Sequence, residues 1–128
     1  MSGLVVDTSS WISYFAGRTG RVIDEALAEA RVYMPPLVAA ELASGKLGSR
    51  RRADLEDLIR HLPLCDCDID HWLRVGRLRA SLASRGLAVS TPDAHVAQCA
   101  LDLSADLLSE DGVFGRIGAH TSLRIASS

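Results

Sequence analysis

The sequence predicts an α/β domain: a short, mostly parallel sheet of about four to five strands with helices against both faces. Three observations carry this expectation. Brief apolar runs recur along the chain, and helical patterns fill the stretches between them. Proline or glycine marks most of the junctions, where a strand or helix has to stop. The chain has 128 residues, 48% of them hydrophobic, enough for one core, so residues 1–128 are expected to form a single domain.

The elements follow in order. Gly3-Leu4-Val5-Val6-Asp7 reads as a buried strand that ends in a carboxylate. Thr8-Ser9-Ser10 can all cap a helix, and Trp11, Ile12, Tyr14 and Phe15 supply that helix's apolar content until Gly17 stops it,. Val22, Ile23, Ala26, Leu27 and Ala30 have helical spacing,. Val32-Tyr33-Met34 is a second strand closed by Pro35-Pro36, and Pro36 is suited to start a helix from Leu37 to Ser44,. Leu55, Leu58, Ile59 and Leu62 mark an amphipathic helix that begins on the basic run Arg50-Arg51-Arg52 and ends at Pro63. Leu64 to Asp66 is expected to be a third strand. A long helix with Ile69, Trp72, Leu73, Gly76, Ala80 and Ala83 ends at Gly86. Pro92 opens a helix with small sides at Ala94, Ala97, Cys99 and Ala100. Asp106 to Ser109 and Leu123 to Ile125 are the remaining strands.

Composition excludes several classes. No apolar run approaches the ~20 residues of a membrane helix, and no basic stretch precedes the first apolar segment as in a signal peptide. The three cysteines Cys65, Cys67 and Cys99 are odd in number and lack the C-x-x-C spacing of a metal knuckle. They read as small core hydrophobes in a reducing, cytoplasmic compartment. His61, His71 and His120 show no ligand-like spacing, and His95 reads as a packing residue.

The net charge is −2, and thirteen of the fourteen basic residues are arginine. Four acids stand out by position. Asp7 and Asp111 lie at or just past the carboxyl ends of strands, where α/β sheets gather their chemistry. Glu41 and Asp93 fall in what read as first turns of helices starting near that edge. Setting these four aside turns the net charge into +2, a focused acidic pocket in a mildly basic surface, suited to a metal enzyme acting on phosphate chains. Each acid has a plainer reading alone: Asp7 as a helix cap, Glu41 as a solvated helix residue, Asp93 as a first-turn acid favoured by the helix dipole, Asp111 as a turn residue beside Gly112. The apolar flank of Glu41, Val38-Ala39-Ala40 and Leu42-Ala43, argues against its exposure. Converging carboxylates raise one another's pKa and need a cation. Hard oxygen donors suit Mg²⁺ or Mn²⁺.

Four segments resemble the motifs of PIN domains. They are Leu4-Val5-Val6-Asp7-Thr8-Ser9; Pro36 to Gly45 with Glu41-Leu42 at its heart; Arg85-Gly86 followed by Ser90-Thr91-Pro92-Asp93-Ala94-His95; and Leu107-Leu108-Ser109-Glu110-Asp111-Gly112-Val113-Phe114. In order, spacing and length the chain is similar to VapC-type toxins of that family. The resemblance implies a PIN-like fold, Mg²⁺ or Mn²⁺, endonucleolytic cleavage of RNA, a small cognate antitoxin and a homodimer. By motif match, Asp7 and Asp93 would be the main metal ligands, with Glu41 and Asp111 in support and Glu110 competing with Asp111 for the fourth place. Thr8, Ser9 and Thr91 would orient ligands or water. Arg50, Arg51 and Arg52 could contact RNA phosphates or simply form a solvated helix start. A haloacid-dehalogenase-like phosphatase would need an acid where Ser9 stands and a lysine, of which Lys46 is the only one. A receiver domain of the CheY type fails on similar grounds. A catalytically idle PIN-fold binding module is the remaining alternative.

Overall fold

In the computed structural model, which describes residues 2–18 and 20–127, four parallel strands form the sheet. In chain order the elements are β1 (Leu4–Val6), α1 (Thr8–Phe15), α2 (Arg21–Ala28), β2 (Val32–Tyr33), α3 (Pro36–Ala43), α4 (Ser49–His61), α5 (Ile69–Ser84), α6 (Thr91–Leu103), β3 (Asp106–Leu108), α7 (Val113–Gly118) and β4 (Arg124–Ile125). The strand order is β2-β1-β3-β4, all pairs parallel.

The sheet is short because each strand is only as long as its apolar run. In β1 all three residues are buried, as expected of a parallel strand covered on both faces. Its register sets up the site: Val6 pairs with Leu108, and the Asp7 N–H donates to the Leu108 carbonyl. Asp7 and Ser109 therefore leave adjacent strands side by side at the carboxyl edge.

Helix α6 is buried on every side from Ala94 to Ala100. Small residues let it pack against α5, α3, β1 and β3 together, which a helix with one polar face could not do. Gly17 and Gly86 take the left-handed conformation just beyond α1 and α5 (φ 74° and 82°), as the sequence leads one to expect of helix stops.

Two expectations need correction. Leu64 to Asp66 is not a strand. One isolated bridge joins Met34 to Leu64, and beyond it the segment leaves the sheet edge with Leu64 exposed. Pro63, without an N–H, precedes it at this edge. Glu41 is not in a first helical turn: α3 starts at Pro36 and ends at Ala43, so Glu41 lies in its last turn.

Candidate active site

Asp7 is the centre of the site. It occupies the N-cap position of α1, yet its side chain makes no capping bond. Its Oδ2 instead accepts from the Ser109 hydroxyl at 2.9 Å and, more distantly, from Ser9 at 3.5 Å. Only 9% of the residue is exposed. Burial raises its pKa above the ordinary carboxylate value, the Ser109 hydroxyl and the Thr8 backbone oppose the rise, and the negative charges of Asp93 and Glu41 add to it,.

Thr8, the first residue of α1, donates its hydroxyl to Glu41 Oε1 at 2.9 Å. This bond draws the end of α3 to the start of α1 and places Glu41 at the carboxyl edge despite its position in the last turn. Glu41 is exposed, contrary to what its apolar flank suggests. Val38 and Leu42 turn into the core while Glu41, Ala40 and Ala43 stay nearer the surface, so the apolar neighbours cover other directions of the short helix.

Asp93 sits in the first turn of α6. Ser90 caps this helix, its hydroxyl accepting from the Asp93 N–H at 3.2 Å, so capping is done by another residue and the half-buried Asp93 carboxyl is not needed for it. Thr91 is exposed at the start of the same helix.

The fourth motif divides its residues. Ser109 joins Asp7, as above, and lies 3.3 Å from Ser9 by their hydroxyl oxygens. Glu110 turns to Ser13, whose hydroxyl donates to Oε2 at 2.7 Å. Asp111 is exposed, and its Oδ1 accepts from the Val113 N–H at 2.9 Å, closing a turn before α7. Asp7 thus feels the charges of Asp93 and Glu41, whereas the Asp111 carboxylate is engaged in the turn before α7. Ser109 is the residue that sequence reasoning did not single out; the pairing of β1 with β3, each strand followed by a polar side chain, was the available signal.

The arginine run separates in the same way. Arg52 donates to the Ala43 carbonyl at 2.6 Å and the Gly45 carbonyl at 2.8 Å, tying down the end of α3, whereas Arg50 and Arg51 are exposed. Arg51 also lines a cleft of about 440 Å³ with Phe15, Leu47, Asp54, Leu55 and Leu58, and Phe15 is 48% exposed there.

Among the described residues no Lys, Arg or His forms an ion pair with Asp7, Glu41 or Asp93. Three acids, one of them buried, share a region without a protein cation. Such an all-oxygen set fits a hard divalent ion such as Mg²⁺ or Mn²⁺.

A different group of side chains packs more tightly. Cys67, His71, His95 and Cys99 bring one potential ligand atom each within 4.8 Å of the others. Cys65, Cys99 and His95 are buried as expected, Cys67 is only half-buried, and His71, too, is fully buried. The spacing Cys67 to His71 and His95 to Cys99, four residues in each case, was the overlooked signal.

Comparison with known proteins agrees with this architecture. The family model for the PIN domain matches residues 4–119. The chain is 31% identical over 132 aligned positions to Ribonuclease VapC11 of Mycobacterium tuberculosis, covering 97% of this chain and 98% of that protein. It is 32% identical to Ribonuclease VapC5 of the same organism over 94% of this chain and 92% of that one. Among solved structures, a chain of the DNA-bound VapBC from Salmonella typhimurium superposes with a TM-score of 0.80 at 24% identity, covering 98% of each chain. A chain of VapBC-5 from M. tuberculosis superposes at 0.70 with 23% identity over the full length of both.

Proposed function

The chain belongs to the PIN-domain family, and we propose that it is a divalent-metal-dependent endoribonuclease, the toxin component of a toxin–antitoxin pair. Ribonuclease activity is the property named for its relatives. The observation that carries the metal reading is Asp7: a buried carboxylate beside two other acids, with hydroxyls but no cation for partners.

In this reading Asp7 and Asp93 hold Mg²⁺ or Mn²⁺, with Glu41 in support and Asp111 at the rim. The bound ion would supply an activated water and relieve the charge that develops on the phosphate. The side chains do the rest. Ser109 and Ser9 fix Asp7 through Oδ2. Thr8 holds Glu41 through Oε1, which leaves Oε2 of this exposed carboxylate to take the proton from the attacking water. Arg50 and Arg51 offer positive charge to RNA phosphates, and Thr91 stands at the mouth of the site.

The partner is a small antitoxin. The unpaired acids suit an arginine presented by such a protein, and the cleft between α1 and α4, where Phe15 is half-exposed, suits an apolar segment of it. We further propose a cytoplasmic location, a homodimer, and a single domain over residues 1–128 that unfolds in one transition. No helix among the described residues is long and apolar enough to cross a membrane.

The direct test is RNA cleavage by the purified chain with Mg²⁺, with Mn²⁺ and with excess EDTA. Cleavage should need the ion and stop with chelator; undiminished cleavage in EDTA sinks the mechanism. Co-expression with a small cognate antitoxin should yield an inactive complex.

A further inference from the structure

We propose that Cys67, His71, His95 and Cys99 form a second metal centre, a structural zinc site that joins the entrance of α5 to the middle of α6. It lies apart from the carboxylate site in chemistry: two sulfurs and two imidazole nitrogens, against oxygen donors only. Soft and borderline donors of this kind in a tetrahedral set select Zn²⁺ rather than Mg²⁺ or Mn²⁺.

The geometry is that of a nearly assembled site. With Zn–S near 2.3 Å and Zn–N near 2.0–2.1 Å, the ligand atoms of a tetrahedral centre stand roughly 3.3–3.8 Å apart. Here all four lie within 4.8 Å of one another. His71 Nε2 is 2.9 Å from His95 Nδ1, and Cys99 Sγ is 3.8–3.9 Å from the His95 ring nitrogens. Side-chain movements of up to about 1 Å, closing the widest separation from 4.8 Å and opening the two rings from 2.9 Å, would bring the four atoms to tetrahedral spacing,.

Local structure explains how two helices and the residue before the α5 cap supply four donors. His95 and Cys99 are four apart on α6 and so share one face. Cys67 immediately precedes Asp68, whose carboxylate caps α5 by accepting from the His71 N–H. That cap turns the chain so that Cys67 and His71 meet the same α6 face.

The surroundings orient the rings as a zinc site requires. His71 Nδ1 is 2.8 Å from Asp102 Oδ2, and Asp102 is in turn held by Arg74 and Gln98. A carboxylate on one ring nitrogen places the proton there and leaves the Nε2 lone pair facing the cluster. Trp72 stacks on the His95 ring at 4.6 Å with a 9° interplanar angle, which fixes its plane. His71 and His95 are both fully buried. Two thiolates and Zn²⁺ together carry no net charge, so the assembled centre can be buried where its parts as separate ions could not.

Cys65 is also buried and reaches Cys99; it stands outside the set of four and packs beside it.

The test uses the full chain carrying Asp7→Asn, so that the carboxylate site is disabled and metal content reports on this centre alone. Purified without a metal-binding tag or chelator, it should hold about one zinc per chain by mass spectrometry of the metal. Cobalt put in place of zinc should give the visible bands of a tetrahedral ion and a thiolate-to-metal charge-transfer band. Adding Cys99→Ser or His95→Asn should abolish both, while Cys65→Ser keeps them. Should those variants fail to fold, the parent chain decides alone: stripped of metal, it should regain its melting temperature on titration with one equivalent of zinc and compete for zinc with a chromophoric chelator. No zinc uptake, a cobalt spectrum without thiolate bands, a Cys67–Cys99 disulfide, or loss of metal in Cys65→Ser overturns the assignment. None of these readouts depends on ribonuclease activity, so this site and the proposed catalytic one stand or fall separately.

Discussion

The Ser109 hydroxyl donates to Oδ2 of Asp7 at 2.9 Å, across 102 positions of sequence. The bond exists because β1 and β3 pair in parallel with Val6 opposite Leu108, so the residues that follow them leave the sheet together. It is also the leading influence holding the Asp7 carboxyl down against burial.

Ser109→Ala should therefore loosen Asp7 and raise its pKa further, since a bond to the charged form is lost. Cleavage is expected to fall about tenfold, the loss seen when a residue supporting a metal ligand is removed. The acidic limb of the pH–rate profile should move to higher pH, and Ser109→Thr should restore most of the rate. A purely structural role for Ser109 would lower stability and leave the pH profile in place.

Asp7→Asn separates ligand from cap. The folded state raises the Asp7 pKa above 3.8, so it binds this proton more tightly than the unfolded chain does. The group's contribution to stability is most favourable below pH 3.8 and declines as pH rises through the folded-state value. Near neutral pH the ionised carboxylate is a net cost, and Asn removes it. In EDTA the melting temperature should stay equal or rise, while Mg²⁺-dependent cleavage should drop at least ~100-fold because a neutral amide is a poor ligand for a hard cation. Asp93→Asn should lose activity similarly, whereas Asp57→Asn, on the exposed surface of α4, should change neither property. Near-normal cleavage by a destabilised Asp93→Asn would defeat the assignment.

Asp111 can be assigned by comparing two substitutions. Asn retains an oxygen that can accept from Val113 N–H, and Ala does not. If the turn before α7 is its main task, Asp111→Asn cleaves RNA within a few-fold of the parent and Asp111→Ala melts a few degrees lower. A loss in Asp111→Asn as deep as that in Asp7→Asn would instead make its charge essential, and the rim placement would be wrong.

The arginine run should split by position. Arg52→Gln removes two charge-assisted bonds to the end of α3 and should cost about 1–3 kcal/mol of stability in chemical denaturation. Arg50→Gln and Arg51→Gln should leave stability unchanged, weaken RNA binding and reduce its salt dependence. Equal effects of all three on binding alone would contradict the structural role of Arg52.

What the sequence determined by itself was local. Period and punctuation located every helix except the short α7 (Val113–Gly118) and four of the strands, because an apolar run between Pro and Gly has few alternatives: Val5 and Val6 must be buried, and Pro36 and Thr91-Pro92 must open helices. The acids at strand ends could be read for the same reason, since Asp7 follows an apolar strand directly. Tertiary structure decided everything that depends on partners distant in the chain. It removed the strand expected at Leu64 to Asp66, since only Met34 pairs there. It brought Glu41 to the site through Thr8 rather than through a helix start, gave Arg52 a carbonyl cage in place of solvent, and revealed Ser109 as the partner of Asp7. It also converted two unremarkable four-residue spacings into one cluster, because Cys67 and His71 meet His95 and Cys99 only when α5 packs on the all-buried face of α6. Spacing along a chain specifies which side chains share a helix face, but which two faces meet is set by packing, and packing is a property of the whole core.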